Sequence, residues 1–353
     1  MTDESCRLAL LIPGLCGPSL EAPATGYLSA GVPALERLLS RARVEAHSTR
    51  EIEDSLAGFF PRCGTEDAPL AVAPLTWLAD TGERTTGFIM RADPVHLRAD
   101  QACLRLFDSS SFTITPQEAR DLKDAFNEHY RQRGWQLHAP RPQRWYLTMN
   151  EAPEITAQAP LQLAGRDIRD VLPGSEAGAV WHAFLNEVQM LFHDHPVNRA
   201  REQRGEPVIN SIWPWGGGYL PAQVATTVTR AFADHPLLQG LARLAGIPCR
   251  GVPENARELM AEDKSGQQLV LLDRLERDWR YGDPDNWAEG IMQLERTWFR
   301  PLLDMLLKGQ INELNLYPLG ARRYLINGRR LRYFWKPDRS LAWHCRDVSC
   351  AAR

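Results

Sequence analysis

The chain has 353 residues, 44% apolar and 24% charged, with a formal net charge of −3 at pH 7. That length holds two ordinary domains or one large one, and that composition excludes a disordered chain, a fibrous repeat and a disulfide-stapled miniprotein. A nearly balanced charge gives no global attraction to nucleic acid or to an anionic membrane, so neither is expected as a partner.

No stretch approaches the roughly 20 apolar residues of a membrane span. The first apolar run, Leu8 to Ile12, follows Asp3 and Glu4 and stops at Pro13-Gly14, unlike a signal peptide. Seven scattered cysteines without a CxxC pair read as reduced thiols of a cytoplasmic protein with no zinc site. Apart from Lys123, Lys264, Lys308 and Lys336 the basic residues are all arginine. Codon composition explains this most simply; guanidinium recognition of phosphate or carboxylate is the sharper reading.

Leu8 to Ile12 is a short, uninterrupted apolar run, the pattern of a buried parallel strand. Pro33 stands where an N1 proline opens a helix through Leu35, Leu38 and Leu39. Residues 60–85, punctuated by Pro61, Gly64, Pro69, Pro74 and Gly82, read as loop with one short apolar segment. Ala102 to Phe107 alternates like a strand. Thr115-Pro-Gln-Glu118 is a capping box that starts a helix ending near Arg133 and Gly134, and Trp145 to Met149 is again strand-like.

Between Glu176 and His193 the apolar positions Val180, Trp181, Phe184, Leu185, Val188, Leu191 and Phe192 form a helical stripe. A loop is expected next, through Pro196, Gly205, Pro207 and Pro214 to the three glycines 216–218. Asp234-His-Pro236 caps a helix ending at Gly246, and Ile247 to Cys249 and Gln268 to Leu272 look like strands. Asp285 opens a long helix closed by Gly309, with Leu314 and Leu316 on a further strand. Finally, Asn327-Gly328 between Arg323–Ile326 and Leu331–Trp335 predicts a type I′ hairpin.

The pattern is α/β, then about 130 residues of α+β, then α/β again, as an inserted domain gives. Residues 1–85 with 222–353 form one discontinuous domain on this reading, and 86–221 the insertion. The runs near 8–12, 269–272 and 311–316 all have the composition of buried strands.

Several candidates for chemistry stand out, each beside a plainer role. His193-Asp-His195 looks like a metal cluster, yet neighbours at a helix end diverge, which favours capping. Asn198 with Arg201 could bind an anion or lie on a solvated loop. Asp93 and His96 could be an acid–base pair, although four residues of extended chain do not guarantee contact. Trp215 followed by Gly216 to Gly218 could bring backbone N–H groups to a phosphate or form a hinge. Arginines 322, 323, 329, 330 and 332 around the Asn-Gly turn read as a solvated hairpin or an anion-binding edge. Trp181, Trp287 and Trp298 lie on helical stripes and read as core.

His195-Pro-Val-Asn198, Asn210-Ser-Ile-Trp213 and Trp215-Gly-Gly-Gly218, in this order, resemble the archaeal-type cofactor-independent phosphoglycerate mutases of the alkaline phosphatase superfamily. Leu8 to Gly14 resembles their first strand and turn, Val32-Pro-Ala-Leu35 a helix start, and Gly282-Asp283 the late metal loop. Asp93-Pro-Val-His-Leu97 and the Thr115 helix resemble their inserted domain. With the Trp-Pro-Trp-Gly segment, Asp93-Pro-Val-His also resembles bacterial regulatory proteins of the RpfE type. The resemblance implies an alkaline-phosphatase-like three-layer α/β/α domain with a mostly parallel sheet, in which the strands near 8–12, 269–272 and 311–316 lie side by side, interrupted by an inserted α+β domain.

The departures bear on chemistry. The mutases hold two divalent metals on Asp and His at strand ends and use a serine nucleophile. Pro13 stands here at the end of the first strand, where they have aspartate. In Glu276-Arg-Asp-Trp-Arg280-Tyr-Gly-Asp283, Arg280 replaces a histidine, and a guanidinium cannot ligate metal. The last Asp-His pair falls near Leu316-Tyr-Pro318.

The expectation is a pseudoenzyme without metal or other cofactor, regulatory or ligand-sensing. A phosphorylated or carboxylated metabolite would bind in the interdomain cleft through candidates among Asp93, His96, His195, Asn198, Arg201, Asn210, Trp213, Trp215, Gly216 and Arg280. The segment 195–218 is expected at the domain junction, with Trp213 or Trp215 buried. The alternative is an active mutase or related phosphohydrolase. A protein partner is not identified by sequence.

Overall fold

The computed structural model describes residues 6–17, 31–49, 51–61, 70–100, 103–153, 157–168, 171, 176–260, 266–333 and 335–345. The chain divides into two compact units, Met1–Pro69 with Gln223–Arg353, and Leu70–Ala222.

The first unit begins with β1 (Arg7–Leu11), α1 (Pro33–Arg41), β2 (Arg43–Thr49) and α2 (Ile52–Phe59). The second holds α3 (Val72–Thr81), β3 (Ile89–Asp100), β4 (Cys103–Asp108), α4 (Pro116–His129), β5 (Gln136–Arg141), β6 (Arg144–Thr148), α5 (Glu176–His193), α6 (Pro196–Gln203) and β7 (Ser211–Gly218). The chain returns to the first unit with β8 (Val228–Phe232), α7 (Pro236–Ala245), β9 (Cys249–Arg250), α8 (Ala256–Leu259), β10 (Gln267–Leu271), α9 (Arg274–Tyr281) and α10 (Pro284–Leu294). It ends with α11 (Arg300–Leu307), β11 (Glu313–Tyr317), β12 (Gly320–Ile326), α12 (Gly328–Leu331) and α13 (Leu341–Cys345). No described helix is long and apolar enough to cross a membrane.

The first unit is built on a seven-stranded sheet in the order β2-β12-β11-β1-β10-β8-β9. As expected, β1 lies between β10 and β11 and is parallel to both. Its uninterrupted apolar run follows from that central position: Leu8 to Ile12 are all buried. Only β12 and β2, at one edge, run antiparallel to their neighbours.

One helix is capped across space. The N-cap residue of α1, Val32, has no side chain that can accept a hydrogen bond. Buried Glu295 does so instead, accepting from the N–H groups of Ala34 at 2.9 Å and Leu35 at 3.0 Å. Glu295 begins a π-helical turn, Glu295–Phe299, between α10 and α11. Pro301 follows that turn, lacks an N–H and would crowd the carbonyl four residues back in a regular helix; the wider turn relieves this.

The second unit has an antiparallel sheet, β4-β3-β6-β5, with β7 also paired to β3. Its core gathers Trp145, Trp181, Trp213, Phe126, Phe184 and Phe192. Trp287 and Trp298 lie in the core of the first unit, so all three stripe tryptophans are core residues.

Four local expectations are corrected. Residues 72–81 are a helix, because Pro74 sits in its first turn and Gly82 is its left-handed C-cap (φ 82°); both residues punctuate an element rather than a loop. Since α3 packs on β3 and β7, the second unit starts at Leu70 and not at 86. The stretch 211–218 is a strand, not a loop or hinge. A Cβ on Gly217 would lie 2.7 Å from Phe88 Cζ, and one on Gly218 2.6 Å from Ala71 Cβ, so close packing requires the glycines. Asn327-Gly328 is not a hairpin turn: Asn327 caps α12, its side chain accepting from Arg330 N at 3.0 Å. The hairpin at this end of the sheet joins β11 to β12 through Pro318 and Leu319, the latter at φ 63°. The strands β2 and Ile89–Asp100 and the helix α2 also carry residues that had no element assigned.

Candidate functional site

The resembling segments at 93–97, 195–198 and 210–218 lie in the second unit, where their polar atoms are engaged internally. Asp93 on β3 accepts from Arg91 Nη2 at 2.7 Å, from Trp215 Nε1 at 2.7 Å and from Trp145 N at 3.3 Å. Arg91 itself lies against the rings of Tyr146 and Trp215, 5.4 and 5.2 Å from their centroids. Burial pushes the Asp93 carboxyl up, against the pull of Arg91. His96 places Nδ1 2.9 Å from Val208 O, and burial lowers its pKa. No hydrogen bond joins Asp93 to His96.

Asn198 donates to Phe192 O and Ile209 O and accepts from Ile209 N, at 2.8 to 2.9 Å. Asn210 pairs with both backbone groups of Leu97 at 2.8 Å, imitating a strand partner. Arg201, 1% exposed, donates to Pro207 O, Thr113 O and Glu118 Oε2. His195 is the N-cap of α6, its Nδ1 accepting from Val197 N at 3.2 Å, so capping is what this histidine does. Trp213 is buried and donates to Gln158 O at 2.9 Å; Trp215 is half-buried. Gly216 has φ 58°, and a Cβ there would meet Val72 Cβ at 2.9 Å. The structure thus joins Asp93 to Trp215, and ties each of the others to nearby backbone or carboxylate groups of the second unit.

In the first unit the carboxyl ends of the parallel strands are where an open α/β sheet places its ligands. After β1 the chain turns through buried Pro13 and through Gly14, at φ 78°. A Cβ on Gly14 would come 2.8 Å from Leu275 O, and its carbonyl accepts from Trp287 Nε1 at 2.8 Å. After β8 stands Asp234, and after β10 stand Asp273, Glu276 and Arg280.

Arg280 forms ion pairs with Glu276, at 3.4 Å, and with Glu51 just before α2. Its guanidinium lies over the Trp279 ring, 4.3 Å from the centroid. The buried Arg280 Nε–H has no acceptor among the described residues. Burial raises Glu276 to about 7; Arg280 pulls it down, while Glu53, Glu51 and Asp273 push it up. Glu53 is likewise raised to about 7 by burial and Asp273 to about 6.

Sequence reading singled out Arg280 but not Glu51, Glu53 or Asp273. Asp273 carried a usable signal, standing directly after the apolar run 268–272. Two divalent cations need several carboxylate or imidazole ligands that converge. Among the described residues no group of three or more His, Cys, Asp or Glu side chains is arranged to hold a metal ion. With Pro13 at the first strand end and a guanidinium between Glu276 and Glu51, these residues do not fit a two-metal centre.

The family model described as 2,3-bisphosphoglycerate-independent phosphoglycerate mutase matches residues 84–198, within the second unit. A Geobacter sulfurreducens protein named "Probable 2,3-bisphosphoglycerate-independent phosphoglycerate mutase" is 28% identical over 231 residues, 63% of this chain and 56% of the relative. The 2,3-bisphosphoglycerate-independent phosphoglycerate mutase of Methanopyrus kandleri is 29% identical over 169 residues, 41% of this chain and 39% of the relative. The chain therefore spans about half the length, or less, of the curated relatives it matches. Among solved structures, the PH0037 protein of Pyrococcus horikoshii superposes with a TM-score of 0.54 at 12% identity, covering 92% of this chain and 88% of that one; this likeness shows the fold alone. The matched segments support a family relationship with the 2,3-bisphosphoglycerate-independent phosphoglycerate mutases.

Proposed function

We propose that this chain is a catalytically degenerate phosphoglycerate-mutase-like protein with a regulatory or ligand-sensing role, of the kind the RpfE-type resemblance implies. One observation carries the reading: in the last turn of α9, the helix after β10, the Arg280 guanidinium pairs with Glu276 and Glu51, where the late metal loop of the mutases has a histidine ligand. A fixed cation compensates carboxylates without activating a nucleophile. A metal also orients substrate and polarises the phosphoryl group, and a guanidinium paired with two glutamates does neither. The unaccepted Nε–H of Arg280 supports an anionic ligand, a phosphorylated or carboxylated metabolite, because one oxyanion would complete its hydrogen bonding.

The second reading, an active mutase or related phosphohydrolase, draws on the crowding of Glu53, Glu51 and Asp273 around Glu276, whose pKa burial raises and their charges push up further. Elemental analysis of the purified protein with a mutase assay in added manganese separates the two. The expected result is substoichiometric metal and no turnover. Stoichiometric metal together with turnover would overturn the degenerate reading.

A further inference from the structure

The basic residues near the C-terminus take no part in the site above. In the first unit the segment from Tyr333 to His344 is clamped onto the end of α1. Buried Arg41 donates to Tyr333 O at 2.6 Å and to Lys336 O, and its Nη2 pairs with Asp338 at 2.9 Å. Ser40 Oγ accepts from Arg339 N at 2.8 Å and lies 3.2 Å from His344 Nε2. Leu341 N donates to Glu36 at 3.0 Å. This is a built support, and what it holds outward is unusual.

Trp335 is 65% exposed and Trp343 43% exposed. Tyr333 stacks on Trp335 with ring centroids 4.9 Å apart, and Arg339 lies 4.6 Å from the Trp343 ring centroid. Among the described residues Arg329, Arg330, Arg332, Lys336 and Arg339 have no acidic partner, whereas Arg41, Arg280 and Arg323 all do. Arg339 lies against one exposed indole, and the other four cations stand within six residues of Trp335 in the chain, a composition rich in Trp and Arg like that of interface hot spots.

We propose that this surface, residues 329–333 and 335–343 of the first unit, docks an acidic segment of a partner polypeptide. Charge complementarity selects an anionic partner. One observation favours a polypeptide over single-stranded nucleic acid. Single strands are bound by successive open aromatic platforms along a basic groove, and here Tyr333 stacks on Trp335 while Arg339 and His344 lie against Trp343. Carboxylates on a flexible segment pair with the arginines, while an apolar side chain beside them packs on the exposed parts of the indoles.

The test uses the full chain and two labelled probes, an oligoglutamate peptide with one central leucine and a single-stranded oligothymidylate, followed by fluorescence anisotropy at physiological salt. The peptide should bind, with affinity falling about tenfold or more in Trp335→Ala and in the double variant Lys336→Glu/Arg339→Glu. Exposed Arg120→Glu in the second unit should leave it unchanged, and thermal unfolding should show each variant folded. Absence of peptide binding, equal affinity in the variants, or tighter binding of oligothymidylate would overturn the proposal.

Discussion

Replacing Arg280 by methionine removes the cation and keeps most of the side-chain volume. At 3.4 Å from Glu276, and with an effective dielectric constant of about 20, the lost attraction is about 5 kcal/mol before desolvation is counted. Burial of both groups offsets part of it, leaving about 2–3 kcal/mol. The loss should depend on pH, and its sign follows from Glu276. A carboxyl raised from 4.5 to about 7 in the folded state is destabilising when ionised. That destabilisation is absent below about pH 4.5, grows as pH rises, and is complete above 7. Without Arg280 the Glu276 pKa rises further and the carboxyl takes up a proton at pH 8, which limits the pH-dependent loss to about 1.4 kcal/mol, so the variant should lose about 2 kcal/mol at pH 8 and under about 1 kcal/mol at pH 5. Urea denaturation of both proteins at the two pH values measures this. Adding Glu276→Gln to the variant should restore most of the loss at pH 8, because the unpaired charge is gone. A loss equal at both pH values, or no rescue by glutamine, would refute the ion-pair account.

Glu295→Ala uncaps α1 and leaves two buried N–H groups without an acceptor, so the urea midpoint should fall by the equivalent of about 2–3 kcal/mol. Asp93→Ala strands the buried Arg91 guanidinium and should cost about 3–5 kcal/mol, with Asp93→Asn milder because it still accepts; unfolding midpoints that do not differ would argue against the network. Gly217→Ala forces a methyl against Phe88 and Met90 and should destabilise by about 1–3 kcal/mol, read by thermal unfolding. Burial depresses the His344 ring to about 4, so the unfolded chain takes up that proton first as pH falls. Its stability contribution, present above about 6.5, should be lost progressively toward pH 4, by about 3 kcal/mol, and a His344→Phe variant should show a flatter acid limb.

What could be read from sequence depended on whether a residue type had one structural use or two. Buried-strand composition together with the ordered family resemblance places β1 beside β10 and β11, although the insertion separates β1 from the other two. Thr115 with Glu118, and His235 with Gly246, mark helix ends by hydrogen bonds local to the chain. Proline and glycine have two uses. Pro74 and Gly82 start and stop a helix, while Pro214 and the glycines that follow lie inside a strand because α3 and Phe88 pack too closely for side chains. Asn-Gly is equally divided: Asn327 can enter a type I′ turn or cap a helix, and the amide of Arg330 decides for the cap. The same holds for the site. The departure at Arg280 is visible in one stretch of sequence, but its partner Glu51 lies 229 residues away, and only the parallel sheet brings α2 and α9 together.

The charge balance at the strand ends gives the substitution its physical sense. Carboxylates gathered at the C-terminal edge of a parallel sheet repel one another, and a divalent metal is the usual remedy in a two-metal enzyme. Such a fold needs its metal for part of its stability. With a guanidinium at position 280 the compensating cation is part of the chain, so that edge can form without a bound ion. The compensation is incomplete: one positive charge faces Glu51, Glu53 and Glu276, and the last two remain raised to about 7. At neutral pH the edge therefore holds protons that a fully compensated site would release. Arg280, fixed by two glutamates and by the Trp279 ring, keeps a buried Nε–H that meets no acceptor among the described residues. A residue retained only for charge balance would need neither the aromatic contact nor that donor, and both follow if the guanidinium is also held in position for an anion.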